Sequence, residues 1–104
     1  MDIIESNYRA NHGEIDIIAI DSHVYVFVEV KTISKKIQSS VVTRETYRPE
    51  YNIDEHKIHL VRRTGELYLS KQNAKSTWRI DVIAVELDQI SKIATVRHIK
   101  NAWS

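Results

Sequence analysis

Two short motifs carry the reactive side chains of this 104-residue chain: Gly13-Glu14-Ile15-Asp16, and Glu29-Val30-Lys31 at the end of the apolar run Val24 to Val28. Two carboxylates and an amine on one face of a sheet are what metal-assisted phosphodiester cleavage needs. A divalent cation held by the acids polarises a phosphate and lowers the pKa of an attacking water. An ammonium alongside stabilises the developing charge or orients that water. Residues 14 to 20 and 24 to 32 are rich in β-branched and aromatic types and are separated only by Asp21-Ser22-His23, so they read as a β-hairpin. A two-residue loop at Ser22-His23 sets Asp16 opposite Glu29. A three-residue loop sets Asp16 opposite Val28 and turns Glu29 to the other face, and the sequence leaves both registers open.

Residues two apart in a strand share a face at roughly 7 Å, which groups Glu14 with Asp16 and Glu29 with Lys31. In the favourable register three acids gather with one lysine. Like charges so placed oppose folding unless something positive sits among them, and Mg²⁺, or Mn²⁺ in its place, meets that need with oxygen ligands. The competing reading has Asp16 and Glu29 facing solvent, with Lys31 pairing one of them, as charged strand residues ordinarily do. Apolar residues on both faces of the run from Val24 to Val30 argue for a covered strand whose polar end lies at a lip or cleft.

The elements that position these motifs follow from the pattern along the chain. Residues 2 to 9 form a first strand, turning at Asn11-His12-Gly13. Ser34 to Tyr51 is polar, holds the only proline, Pro49, and reads as a long mobile loop. Asp54 is the N-cap of a helix reaching about Ser70 or Gln72, with Ile58, Leu60, Val61, Leu67, Tyr68 and Leu69 as its apolar stripe and Gly65 as a break. Thr77 to Glu86 is a buried strand and Ile93 to Ile99 a last one, with the connection through the helix making the Glu29 and Ile80 strands parallel. Asp81 reads as a hydrogen-bonded structural carboxylate. Trp78 and Trp103 read as packing residues. His56 and His59 share a helix face without a third partner, too few for zinc, and His12, His23 and His98 stand alone.

Charge is unevenly distributed. Residues 1 to 30 hold six acids and one base, whereas residues 31 to 79 hold eleven bases and five acids, for a net charge of +1 overall. An acidic lip beside a basic middle suits a metal site flanked by a phosphate-binding surface, with Lys35, Lys36, Arg44 and Arg48 gripping a nucleic-acid backbone and Tyr47 or Tyr51 stacking on an unpaired base. Solvated loops and a solvated helix face would carry the same residues. The chain has no cysteine, which excludes disulfides and thiolate metal sites. Its longest apolar run is far below the roughly 20 residues that span a bilayer, and its acidic start is unlike a signal peptide. These features lead us to expect a cytoplasmic protein without a membrane partner.

In order and spacing, Asn7-Tyr8-Arg9, Gly13-Glu14-Ile15-Asp16, Val26-Phe27-Val28-Glu29-Val30-Lys31-Thr32, Arg79-Ile80-Asp81-Val82-Ile83-Ala84 and His98-Ile99-Lys100-Asn101-Ala102 resemble the YraN-like family of predicted endonucleases, within the PD-(D/E)XK superfamily. The resemblance implies an α/β, restriction-endonuclease-like fold: a mixed central sheet of about five strands with one main helix after the third, residues 1–104 forming a single domain. It implies a metal-dependent DNA endonuclease, active on branched DNA as related resolvases are, with a non-catalytic nucleic-acid-binding or interaction module as the alternative. Metal ligation falls on Asp16, Glu29 and the backbone carbonyl of Val30, the catalytic amine on Lys31, and a basic residue near the site on Lys57. Family members usually begin with an amphipathic helix bearing a further acid, and here only Met1 to Ser6 precede the Asn7-Tyr8-Arg9 segment. Glu14, which shares a face with Asp16, is the expected substitute for that acid. A second copy or a partner chain is then expected over the sheet surface the helix would cover.

Overall fold

The hairpin closes through two residues. In the computed structural model, which describes residues 1–11, 13–35 and 55–102 and the side chains of all but Lys35 among them, Ser22 (φ 47°) and His23 (φ 73°) both take left-handed backbone. Positive φ at both central residues matches the twist of the flanking strands. The turn pairs Asp21 with Val24 and Ile17 with Val28, the register that carries Asp16 toward Glu29.

Five strands, β1 (Asp2–Ala10), β2 (Gly13–Asp21), β3 (Val24–Lys35), β4 (Trp78–Asp88) and β5 (Ile93–Ile99), form one sheet in chain order. Helix α1 (Glu55–Lys71) follows the third strand. β3 and β4 run parallel, with Phe27 opposite Ile80 and Glu29 opposite Val82, and the other neighbours are antiparallel. This mixed α/β sheet is the expected architecture and is consistent with a restriction-endonuclease-like fold. β3 continues to Lys35, past the point where a loop was expected from Ser34, because its pairing with β4 holds as far as Lys35 and Asp88. The rest of that stretch, with Lys36, Arg44, Tyr47, Arg48, Tyr51 and Asp54, lies outside the described residues, as do His12 and Trp103.

The two faces of β3 pack separately. Ile15, Ile18, Phe27, Ile80 and Val82 meet Ile58, Val61, Tyr68 and Leu69 of α1 in one core, while Ala19, Val26 and Val28 gather with Ile17, Val30 and Ile83 on the reverse. Tyr68 is the hub on the helix side, its ring edge-on to Tyr8 at 5.1 Å, Tyr25 at 6.1 Å and Phe27 at 6.5 Å, and Trp78 stacks obliquely on Phe27 at 6.0 Å. Such offset and edge-to-face pairs strengthen a core beyond the area they bury. Among the large apolar side chains left exposed, Ile3 and Ile4 lie on β1 and Ile93 and Val96 on β5. Among the described residues, no helix is long and apolar enough to cross a membrane.

α1 carries Glu55 in its first turn and Lys71 in its last, each opposite in sign to the nearby end of the helix dipole. It stops on Asn73 (φ 56°), with Asn73 N donating to Ser70 O and Ala74 N to Leu69 O. That bond pair is the Schellman cap, and Ala74 packs back on the core, a contact that often accompanies it. Its buried face is Ile58, Val61, Thr64, Gly65, Tyr68 and Leu69, whereas Leu67 is exposed. The apolar stripe therefore passes through Gly65 instead of breaking there, and Leu67 belongs to the outer surface. A Cβ on Gly65 would lie 2.6 Å from Cδ2 and 2.8 Å from Cζ of Phe27, a ring that is itself fully buried. Gly65→Ala gains up to about 1 kcal/mol of helix propensity but overpacks the core at about 1–3 kcal/mol. The expected outcome is a net loss on the order of 1 kcal/mol, read from urea unfolding.

Candidate metal centre

Asp16 lies one residue beyond the last regular pair of the β2–β3 ladder, Ile17 with Val28. There the side chain replaces the backbone as partner, and Asp16 Oδ2 accepts a hydrogen bond from Val30 N at 2.8 Å. Strand alternation breaks at the same place. Ile15 and Ile18 both belong to the helix-side core although they are three apart, while Ile17 packs on the reverse. An irregular step of this kind redirects a side chain at the end of a paired segment.

Glu29 follows Phe27 on the helix side of β3 and is only 3% exposed. Lys57 Nζ, from the first turn of α1, stands 2.5 Å from Oε1 and pairs with it. Among the described residues Oε2 finds no hydrogen-bond partner. Burial pushes the Glu29 carboxyl above its ordinary value of 4.5; the Lys57 ammonium pulls against this, the Asp16 charge adds to it, and Lys31 opposes it weakly. Lys57 is raised in turn, first by its contact with Glu29 and then, against partial desolvation, by the charges of Glu29, Asp16 and Glu14. Lys31 shares the parity of Glu29 along β3, opposite buried Ala84, and is half-buried. The structure thus brings Asp16, Glu29, Lys31 and Lys57 together at the lip where β2, β3 and α1 meet.

Glu14 stands apart from this group. Gly13 and Ile15 face α1, so Glu14 between them points the other way, exposed, with its Oε2 3.7 Å from Arg9 Nε. Among the described residues no three His, Cys, Asp or Glu side chains are placed to hold one ion. Two carboxylates still suit Mg²⁺, which completes its shell with waters and substrate phosphate. The unpartnered Oε2 of buried Glu29 and the adjoining Asp16 charge fit such a cation. Of the basic residues expected at a nucleic-acid surface, Lys57 is the one whose side chain is described, and it faces Glu29; for Lys35 only the backbone, at the end of β3, is described.

Asp81 lies on the reverse face, opposite Val28, and is fully buried. Its Oδ1 accepts from Arg79 Nε at 3.0 Å and Asn101 N at 2.9 Å, and Oδ2 meets His98 Nε2 at 2.7 Å. Burial alone would raise its pKa, but the Asn101 amide, Arg79 and His98 together hold it below the ordinary 3.8. Arg79 also reaches Asp21 Oδ2 at 3.0 Å, and that contact is the largest cause of the lowered Asp21 pKa. His98, isolated in the sequence, is joined to Asp81 by the β4–β5 pairing. Sequence reasoning also missed Glu86, which is buried on the α1 side of β4 and whose only sequence signal is an acid closing an apolar strand.

If a cation enters between Asp16 and Glu29, Lys57 is its competitor. Lys57→Met removes that competing charge, and Mn²⁺ is expected to bind about fivefold more tightly, the equivalent of the roughly 1 kcal/mol that a partly exposed ion pair contributes at most. Calorimetric titration of both proteins checks this, and weaker binding by the variant would count against Lys57 as a competitor.

Residues 1–85 match the family described as "Uncharacterised protein family UPF0102". A UPF0102 protein of Clostridium botulinum (strain Kyoto / Type A2) is 39% identical over 103 residues, covering 97% of this chain and 77% of the relative. One from Moorella thermoacetica is 36% identical over 102 residues, covering 97% and 78%. With its family segment spanning both acidic motifs, the hairpin between them and the whole of α1, the chain belongs to the UPF0102 (YraN-like) family.

Proposed function

We propose that this protein is a Mg²⁺-dependent DNA endonuclease of the PD-(D/E)XK type, hydrolysing phosphodiester bonds at the lip formed by β2, β3 and α1. The observation that carries the reading is Glu29: a carboxylate almost wholly out of water, held at Oε1 by the largely exposed Lys57 and without a hydrogen-bond partner at Oε2 among the described residues, beside a second acid and the amine of Lys31. Burying an ionised group without full pairing is costly, and folds keep such groups where a ligand completes them. Asp16 is held by its bond to the Val30 amide, which leaves Oδ1 to face a cation. The Val30 carbonyl is the third ligand proposed. A bound Mg²⁺ would supply Lewis-acid polarisation of the scissile phosphate and a lowered water pKa. Lys31, on the same face as Glu29, orients the attacking water and stabilises charge as it grows on the phosphate oxygens. With a cation held by Asp16 and Glu29, Lys57 would be released from Glu29 and available to meet a phosphate. Lys35, Lys36, Arg44 and Arg48 are proposed to hold the DNA backbone.

The test is cleavage of branched and linear DNA by nuclease-free protein with Mg²⁺. Asp16→Ala and Lys31→Ala are each expected to lower the rate by at least about 100-fold. Equal cleavage by wild type and both variants would overturn the assignment. The alternative, a nucleic-acid-binding or interaction module without catalysis, is favoured by the Lys57–Glu29 pair, which already places a positive charge at the acids. It predicts salt-sensitive DNA binding that needs neither metal nor Asp16, with no cleavage at all.

A further inference from the structure

We propose that a second site, the groove between the end of β1 and the outer side of α1, is a docking track for a nucleic-acid phosphate backbone. The groove encloses about 500 Å³ and is lined by Arg9, Ala10, Asn11, Arg63, Leu67 and Lys71. On α1 its residues recur every fourth position, Arg63, Leu67 and Lys71, and so form one stripe along the helix. Its other wall is the end of β1. The two walls are drawn together at Gly13, where a Cβ would lie 2.6 Å from Thr64 Oγ1 and 3.4 Å from the Leu60 carbonyl oxygen; only a glycine allows α1 to lie this close to the start of β2.

The charges in the groove are poorly compensated. Arg63 and Lys71 form no ion pair among the described residues. Arg9 meets Glu14 only at 3.7 Å, with its own side chain 79% exposed, a geometry in which an ion pair contributes little. Glu66, the nearest acid along α1, is already held by Arg62 at 3.0 Å. Three cations around one concavity repel one another and focus a positive potential that an anion relieves. Asn11 adds an amide donor of the kind that contacts phosphate oxygens, and Leu67, 45% exposed, adds an apolar surface against which a sugar can lie.

The length of the stripe indicates a polyanion over a single phosphate. Eight residues separate Arg63 from Lys71, about 12 Å along a helix axis. At roughly 3.4 Å of rise per phosphate along one strand, that distance matches three to four phosphates. The track and the proposed metal centre share α1: Lys57 at Glu29 precedes Arg63 by about 9 Å of axial rise and about a third of a turn around the helix. A strand cut at the lip would continue along the groove. The inference rests on the endonuclease reading and extends it by assigning residues that hold the DNA away from the scissile bond.

The test measures binding of a short fluorescent DNA duplex across a range of salt concentrations, with Ca²⁺ in place of Mg²⁺ to suppress cleavage. For the full-length Arg63→Gln/Lys71→Gln double variant, the slope of log affinity against log salt is expected to fall by about 1.8, or 0.9 for each lost phosphate contact. Arg62→Gln, whose arginine serves Glu66, is expected to leave the slope unchanged. Circular dichroism checks that both variants are folded. An unchanged slope in the double variant, with wild-type binding intact, overturns the groove and leaves the endonuclease reading standing. A wild-type protein that fails to bind DNA even at low salt overturns both, and binding to anionic phospholipid vesicles but not to DNA reassigns the groove to a lipid surface and overturns the proposal.

Discussion

Glu29→Gln is expected to yield a protein that is more stable than the wild type and inactive. The carboxyl is nearly wholly buried and raised above 4.5 chiefly by desolvation. A carboxyl whose pKa is higher folded than unfolded binds its proton more tightly in the native state, so its ionisation opposes folding. That opposition is absent below about 4.5, grows as pH rises from there toward the folded pKa, and is fully present above it. Glutamine has the same shape and no charge to desolvate. Lys57, with 59% of its side chain exposed, returns to water when its partner is neutralised. A gain of about 1 kcal/mol, a few degrees in Tm, is expected at pH 7 in EDTA, with the two proteins converging as pH falls below about 4.5. Mg²⁺ or Mn²⁺ should stabilise the wild type and not the variant, because a ligand that binds only the native state raises its stability. Cleavage should fall by at least about 100-fold. Thermal unfolding against pH, with and without metal, checks each part; a variant less stable than wild type at pH 7 would make Glu29 a structural residue.

Asp81→Ala is expected to have the opposite character, a large loss of stability unrelated to metal. Its carboxylate accepts from Arg79, His98 and the Asn101 amide, and through them ties β4 to β5 and to the residues after it, while Arg79 extends the network to Asp21 on β2. Removing it leaves three polar groups around a buried site without their acceptor. Breaking a buried charged pair in this way costs about 3–5 kcal/mol, a large share of the 5–15 kcal/mol that holds a typical domain. The pH dependence carries the opposite sign to that of Glu29. A carboxylate held below 3.8 contributes stability that is present above that value and lost as pH falls through its folded pKa. The gap between wild type and variant should therefore persist from neutral pH to about 4 and narrow only below it. Urea unfolding at several pH values measures this. Where the variant remains folded its metal affinity should match wild type, since Asp81 and Glu29 lie on opposite faces of the sheet.

How much of this was legible beforehand depends on the range of the interaction involved. The extent of α1, the five strands and the two-sided burial of β3 follow from residue type and periodicity, which report local backbone preference and the need to hide apolar surface. The apolar stripe of α1 was read less well. Leu67 counted toward it by hydropathy, yet the buried positions are Thr64 and Gly65, because the strands below leave room there for nothing larger: Phe27 fills the space beneath Gly65, and Gly13 admits Thr64. Hydropathy scores a residue by itself and does not register the shape of what faces it.

The candidate site divides along the same line. By itself, the sequence determined which side chains were available, two acids and a lysine on consecutive strands, and that Glu29 and Lys31 share a face, because a strand alternates sides. Tertiary structure decided the rest. Ser22 and His23, neither of them glycine, accept left-handed backbone and so select the two-residue turn. The break in alternation at Asp16 then separates that acid from Glu14, which joins Arg9 instead. Lys57 arrives at Glu29 from a helix far along the chain, and Arg79, His98 and Asn101 converge on Asp81 from different elements. Each of these contacts depends on the register between strands and on where α1 settles on the sheet. Those are set by the summed packing of many residues, and no short run of sequence encodes such a sum.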